Sequence, residues 1–168
     1  MIECEHDKAV LGRLVGCWQG TLLHRAHADQ PFRQLAGASE NRWVLGGRFV
    51  EMTLRADTPR DAWSALFYIG YERSERRHVS VSLEPGDRRV TTRLGGWKRD
   101  QDRLVLTSHQ ARVVCDVTIP GRLKLELAEE PLPGTPFVRF RVDFRSAVSP
   151  VIVKPALPRA HRRFVIIA

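Results

Sequence analysis

The chain lacks the features that mark membrane, secreted and metal-binding proteins. None of its apolar runs approaches the ~20 consecutive residues that cross a membrane. The polar segment Met1–Lys8 has neither the basic start nor the apolar stretch of a signal peptide. The cysteines, Cys4, Cys17 and Cys115, are scattered and odd in number, which favours neither a disulfide framework nor a zinc site. These absences predict a cytoplasmic protein without a membrane partner, in which Cys115, within an apolar run, is a small buried hydrophobe.

Lysine is also scarce, and 23 of the 27 basic residues are arginine. The net charge of +8 is of the kind that can indicate nucleic-acid binding. However, four of the positive charges fall in the last 22 residues, and the other arginines lie beside acids along predicted strands. This distribution is typical of a solvated exterior. We therefore expect no nucleic-acid partner, and inward arginines would suit an anionic small ligand.

Catalytic and metal-binding motifs are missing as well. The sequence has no G-x-S-x-G, no H-E-x-x-H and no glycine-rich phosphate loop between a strand and a helix. His24 and His27 are three residues apart, which places them on opposite faces of a strand. We expect Glu51, Asp116 and Asp143 to lie outside and to pair with arginines of neighbouring strands. No catalytic residue and no metal ligand is predicted, which favours a binding protein over an enzyme.

What the sequence has in abundance is alternation of apolar and polar residues. In Phe137–Arg145, four apolar side chains face one way and four charged ones the other. Many such runs follow one another, with turn signals roughly every 8 to 12 residues. The only helical pattern covers residues 5–16, with Asp7 as the N-cap. The prediction is an all-β, up-and-down antiparallel barrel of about ten strands after a short helix. It comprises one domain, 1–146, with a proline-rich basic tail, 147–168.

Three segments resemble known barrel families. Gly16-Cys17-Trp18-Gln19-Gly20 resembles the G-x-W-x-G opening of calycin barrels. Trp43-Val44-Leu45-Gly46-Gly47-Arg48-Phe49 is similar to the W-x-L-x-G-R-F segment of a bacterial lipocalin-like family of unknown function. Gly70-Tyr71-Glu72 resembles that family's G-Y-D turn, with Glu72 in place of aspartate. The resemblance implies a ten-stranded lipocalin-like barrel. It further implies that Trp18 closes the barrel floor and packs on an arginine of a late strand, Arg139 or Arg141.

A barrel of this size leaves room for one small molecule. The predicted lining combines aromatic rings with polar anchors, namely Trp43, Trp63, Phe67, Tyr71 and Trp97 with Arg48, His78 and Arg93. Such a lining suits a small apolar or amphipathic ligand, with a carboxylate held by an arginine. The same rings would also suit a plain barrel core.

Two other functions stay open. Nitrobindin-like barrels share the G-x-W-x-G opening and bind haem through a histidine near the C-terminus, where this chain has His161. That resemblance implies a haem-binding isomerase, although Pro155 and Pro158 just upstream are unlike the family's final strand. The other alternative is a structural barrel without a ligand, which forms a homodimer by pairing through an edge strand.

Overall fold

The computed structural model describes residues 8–57, 62–83, 90–130 and 137–147. A short helix, α1, covers residues 8–12 and is followed by ten strands. The strands are β1 (Gly16–His24), β2 (Arg33–Val44), β3 (Phe49–Asp57), β4 (Ala62–Glu72), β5 (Arg77–Leu83), β6 (Thr91–Lys98), β7 (Arg103–Thr107), β8 (Ala111–Asp116), β9 (Arg122–Glu129) and β10 (Phe137–Ser146). Three predictions lie outside the described residues: the N-cap at Asp7, the tail beyond residue 147, and the haem ligand at His161.

The strands close into an antiparallel barrel in which each strand pairs with its neighbours along the chain and β1 pairs with β10. The register of the closing pair runs from Trp18 opposite Ser146 to His24 opposite Phe140. The predicted all-β, ten-stranded, up-and-down barrel with a short N-terminal helix is confirmed. Because every described strand pairs with two others, the described part of the barrel leaves no unpaired strand edge. The predicted dimer stays a prediction, and the described strands offer no edge for it.

Helix α1 ends at residue 12, four residues before the predicted end at 16, and the predicted start at residue 5 lies outside the described residues. Three successive backbone N–H groups, at residues 13, 14 and 15, donate to the carbonyl three residues earlier rather than four. These tighter turns end the helix. They leave Leu14 buried before Gly16 begins the first strand.

The inward face of most strands is apolar, as strict alternation requires. On β10, Phe140, Val142 and Phe144 are buried, and β8 contributes Val113 and Cys115. Complete burial raises the pKa of the Cys115 thiol to about 12, so this side chain behaves as a hydrophobe. The prediction for Cys115 is confirmed.

The outward face of most strands carries arginine–carboxylate pairs. The three acids predicted to be exterior each pair with an arginine of a neighbouring strand, as expected. The pairs are Glu51 with Arg42 (2.8 Å), Asp116 with Arg103 (3.1 Å) and Asp143 with Arg122 (2.7 Å). Hydrogen bonds from Arg122 hold the pKa of the Asp143 carboxyl below its ordinary value.

The contacts of Trp18 differ from those the family resemblance implied. Its ring is buried, and its indole Nε1 donates to the carbonyl of Leu14 at 2.9 Å. Arg139 and Arg141 lie on the outer face of β10 and bind carboxylates of β9, each at 2.7 Å. In addition, Arg141 lies opposite Leu23, five residues along β1 from Trp18. The prediction of an arginine from this strand on Trp18 is wrong, because alternation directs both arginines outward.

Strand β5 reverses the usual arrangement. Its polar residues His78, Ser80 and Ser82 are buried inside the barrel, whereas Val79 and Val81 face outward. The register explains how the polar residues are accommodated, since Ser80 lies opposite Arg93 of β6, which is also inward and buried.

Candidate functional site

A cavity of about 560 Å³ opens at the end of the barrel that carries α1. We call it the rim cavity. It lies between α1, the β2–β3 turn and the β4–β5 turn. Its lining is Lys8, Leu11, Trp43, Gly46, Gly47, Arg48, Phe49, Tyr71, Glu72, Arg73, Ser74 and Val79.

The β2–β3 turn forms one wall of the rim cavity through an unusual backbone. Leu45, Gly46 and Gly47 have consecutive positive φ angles of 51°, 68° and 76°. Glycine adopts this left-handed conformation without a steric penalty. The N–H groups of Gly47 and Arg48 both donate to the carbonyl of Val44, at 3.1 and 3.2 Å. The chain therefore reverses within four residues and brings Arg48 to the rim.

On the side of the cavity formed by β3 and β4, the position of the Phe49 ring depends on the absence of a side chain at Gly70. This residue lies directly across from Phe49 in the β3–β4 register. A Cβ atom added at Gly70 would lie 2.5 Å from two carbon atoms of the Phe49 ring, so the ring lies flat on the glycine backbone. Tyr71, the next residue, faces the inside of the barrel. The two rings consequently border the cavity from opposite sides of the sheet.

One of the contacts that hold α1 over the barrel end is made by a backbone carbonyl two residues after the helix. The oxygen of Leu14 accepts hydrogen bonds from Trp18 Nε1 at 2.9 Å and from Asn41 Nδ2 at 2.7 Å. The helix in turn places Lys8 Nζ 5.9 Å from the centre of the Trp43 ring, a cation–π distance. The Trp18 motif thus contributes to the cavity by holding α1 rather than by lining it.

Positive charge predominates around the rim cavity. Lys8, Arg48 and Arg73 line it, and neither arginine forms an ion pair with another described residue. The one acid in the lining, Glu72, is already paired with Arg77 at 2.9 Å. A cavity with this balance attracts anions.

A second polar group lies deeper in the barrel, and we call it the polar wall (His78, Ser80, Ser82 and Arg93). It begins at Tyr71, whose ring makes an edge contact with the His78 ring, the centroids 5.1 Å apart. Arg93 is 1% exposed and its Nη1 donates to Ser82 Oγ at 2.6 Å. The buried Ser80 hydroxyl has no hydrogen-bond partner in the described structure.

Three of the eight predicted lining residues, Trp43, Arg48 and Tyr71, meet in the rim cavity. Two more, His78 and Arg93, form part of the polar wall behind it.

The other three lie elsewhere. Phe67 is fully buried against Phe140, with ring centroids 6.3 Å apart. Trp63 packs on the other edge of Phe140, at 5.5 Å, towards the opposite end of the barrel. Trp97 lies beneath the Arg13 guanidinium, at 5.6 Å. The sequence therefore predicted one group of eight, whereas the structure separates these side chains along the barrel.

The sequence prediction omitted Lys8 and Phe49 from the site. Phe49 was present in the resembling segment, but its outward position on β3 gave no sign that it would border a cavity. Lys8 belongs to the helical pattern, and its contact with Trp43 depends on how α1 crosses the barrel end. Both contacts join segments far apart in sequence, and alternation does not reveal them.

Two further findings concern the described residues as a whole. They contain no group of three or more His, Cys, Asp and Glu side chains placed to hold a metal ion. They also contain no helix that is long and apolar enough to span a membrane.

Comparison with known proteins assigns the family. The sequence model of DUF1579, described as a protein of unknown function, matches residues 3–119. The chain belongs to DUF1579. Every residue that lines the rim cavity lies within the region matched to the family, whereas β9 and β10, which complete the barrel, lie beyond it. A search of curated proteins finds no match.

Proposed function

We propose that this member of DUF1579 is a lipocalin-like binding protein that takes up a small amphipathic anion in the rim cavity. The observation that carries the proposal is the meeting of Trp43, Tyr71 and Arg48 around one cavity of about 560 Å³. Pockets for small molecules typically measure ~300–1,000 Å³ and combine apolar walls with a few polar anchors. This cavity has both properties.

The lining favours a ligand with a carboxylate, or a similar anionic group, on an apolar body. Trp43, Phe49 and Tyr71 offer ring faces and edges to the apolar part. Arg48 is exposed at the rim, and a guanidinium binds a carboxylate through two parallel hydrogen bonds. Lys8, above Trp43, supplies a second positive charge on the other side.

The same lining favours binding over catalysis. It has no histidine or cysteine among the described residues, and its one carboxylate, Glu72, is engaged by Arg77. General acid–base catalysis near neutral pH needs a group that exchanges a proton there. The rim cavity offers recognition without such a group.

The proposal is tested by titrating the protein with 8-anilinonaphthalene-1-sulfonate, a fluorescent amphipathic anion, and then displacing it with decanoate. We expect saturable binding that decanoate reverses. Arg48→Met should weaken binding roughly 10- to 100-fold, because a hydrogen bond to a charged group contributes about 1.5–3 kcal/mol.

The matched control is Arg55→Met, which changes an exposed arginine near the far end of β3, the strand that begins just after Arg48, away from the cavity. This variant should bind as the unmodified protein does. Near-UV circular dichroism identifies any variant whose dye binding comes from loosened packing. Equal affinities for the two variants, or no saturable binding at all, would exclude the rim cavity as an anion site.

A further inference from the structure

The three cationic side chains of the rim cavity come from three different segments of the chain. Lys8 belongs to α1, Arg48 ends the β2–β3 turn, and Arg73 lies in the β4–β5 turn. The two turns lie side by side because Phe49, next to Arg48, pairs with Gly70 in the β3–β4 register. Like charges gathered around one cavity repel one another, and an anion among them relieves that repulsion.

The ammonium group of Lys8 lies against the β2–β3 turn. A Cβ atom added at Gly47 would be 3.8 Å from Lys8 Nζ, and the same Nζ is 5.9 Å from the centre of the Trp43 ring. Gly47 directly precedes Arg48. The turn therefore carries one positive charge on its own Arg48 and has a second, that of Lys8, close to its backbone and beside an aromatic ring.

The acid in the lining does not balance these charges. Glu72 is the one carboxylate among the described lining residues, and its Oε2 accepts a hydrogen bond from Arg77 Nε at 2.9 Å. Since Arg77 lies outside the lining, this pair leaves the charges of Lys8, Arg48 and Arg73 uncompensated within the cavity. A ligand carboxylate balances one of the three, whereas a doubly charged group balances two.

We propose that the head group of the ligand is a phosphate monoester, carried on an apolar chain that packs on the rings of the cavity. This inference rests on the proposed function and specifies the chemical class of the anion. A phosphate monoester carries about −1.5 to −2 charges near pH 7 and presents three acceptor oxygens. Arginine binds such a group through two parallel hydrogen bonds and lysine binds it as a point charge. Ser74, beside Arg73, adds a hydroxyl donor to the lining.

The second negative charge sets the size of the expected preference. In water, two opposite unit charges about 4 Å apart attract each other by an amount equal to roughly fivefold in affinity. With one or two of the lining cations in reach, decyl phosphate should bind roughly 5- to 25-fold more tightly than decyl sulfate, which has a tetrahedral head with a single charge. The preference is expected at about pH 7.5 and should fall at about pH 5, because the second pKa of a phosphate monoester is about 6.

The affinities are measured by displacing 8-anilinonaphthalene-1-sulfonate with decyl phosphate, decyl sulfate, decanoate and inorganic phosphate, below the concentrations at which micelles form. Lys8, Arg48 and Arg73 keep their charge at both pH values. Protonation of Glu72, or of His78 behind Tyr71, adds positive charge at the lower pH and would favour decyl phosphate further. A fall in the ratio of decyl phosphate to decyl sulfate affinity therefore reports protonation of the ligand.

Arg73→Met tests the charge count while Arg48 stays in place. It should lower the affinity for decyl phosphate roughly fivefold more than the affinity for decyl sulfate. The matched control is Arg55→Met, which removes the same charge away from the cavity and should keep the ratio of the unmodified protein. Inorganic phosphate should bind far more weakly than decyl phosphate, and equal affinities would make free phosphate the ligand and overturn the amphiphile.

The phosphate head group is also excluded if decyl phosphate and decyl sulfate bind equally at the higher pH, or if their ratio does not fall at the lower one. Equal ratios in Arg73→Met and Arg55→Met would likewise contradict it. Decanoate separates the two proposals. If decanoate displaces the dye but decyl phosphate shows no preference over decyl sulfate, the phosphate head group is wrong and the amphipathic-anion site stands; if no amphiphile displaces the dye, both are wrong.

Discussion

Replacing Gly70 with alanine tests the geometry of the rim cavity wall directly. The φ angle of Gly70 is not positive, so alanine fits the backbone there without strain. The obstacle is Phe49, whose ring would lie 2.5 Å from the new methyl carbon. Real carbon atoms do not approach so closely, and the ring has to move off the strand. We therefore expect Gly70→Ala to be destabilising because of this one contact.

The size of the effect follows from two opposing contributions. Replacing glycine with alanine at a compatible site restricts the unfolded chain and stabilises a protein by about 0.4–1 kcal/mol. Forcing an extra carbon into a packed site costs about 1–3 kcal/mol. The steric cost is larger, so we expect a net loss of roughly 1–2 kcal/mol in the free energy of unfolding. For a chain of this length, each kcal/mol lowers the melting temperature by about 2–4 °C.

A double-mutant cycle measured by urea denaturation isolates the contact. In a Phe49→Ala background the ring is gone, so Gly70→Ala should be neutral or stabilising there. Gly96→Ala is the matched control: it is also a strand glycine, but its added Cβ meets nothing within 4 Å, and it should stabilise the protein slightly. If Gly70→Ala costs the same with and without Phe49, the ring does not lie against the glycine and this description of the wall is refuted.

Two further predictions concern buried polar groups. Ser80→Ala removes a buried hydroxyl that has no hydrogen-bond partner among the described residues, so the free energy of unfolding should stay unchanged or rise by up to about 1 kcal/mol. Ser82→Ala removes the oxygen that accepts from Arg93 and should lower the free energy of unfolding by about 1–3 kcal/mol. Equal losses for the two variants in urea denaturation would contradict these hydrogen-bond assignments. Burial, together with the nearby positive charges of Arg139 and Arg33, lowers the pKa of His24 in the folded protein. The unfolded chain therefore binds a proton at this histidine more readily than the folded protein does. Stability is consequently lost as the pH falls below about 6.5, the ordinary pKa of histidine. His24→Asn should therefore reduce the pH dependence of the melting temperature between about pH 7.5 and pH 5.5. The control His109→Asn, at an exposed position, should show the same pH dependence as the unmodified protein. An unchanged pH dependence in His24→Asn would oppose the prediction.

The fold was predictable because its signal is local. On β9, Leu123, Leu125 and Leu127 alternate with polar residues, and this alternation alone identifies a strand with one buried face. The exterior pairing of Asp116 and Asp143 was predictable for a related reason. A charged residue of a strand is placed outside unless something compensates its burial, and arginines on neighbouring strands lie within reach.

The candidate site was only partly predictable because it is assembled from turns. Arg48 and Tyr71 were found through the family resemblance, which drew attention to two short segments. Neither segment indicates that the β2–β3 turn and the β4–β5 turn lie next to each other beneath α1. That meeting depends on the β3–β4 register, in which Phe49 faces Gly70, and on the Leu14 carbonyl that holds α1 in place. Register and helix placement are properties of the whole barrel.

The directions of the β5 side chains are linked to the placement of one aromatic residue of β6, Trp97. Trp97 packs against the core, and alternation then places Arg93, four residues earlier, inside the barrel as well. A guanidinium is costly to bury without polar partners, and β5 supplies one through the Ser82 hydroxyl. Because His78, Ser80 and Ser82 face inward, Val79 and Val81 between them must face outward, where each is only partly buried. Each valine therefore loses part of the about 1.5–3 kcal/mol that full burial contributes. The inward polar wall and the outward valines of β5 are thus two consequences of one strand orientation, which the registers with β4 and β6 fix.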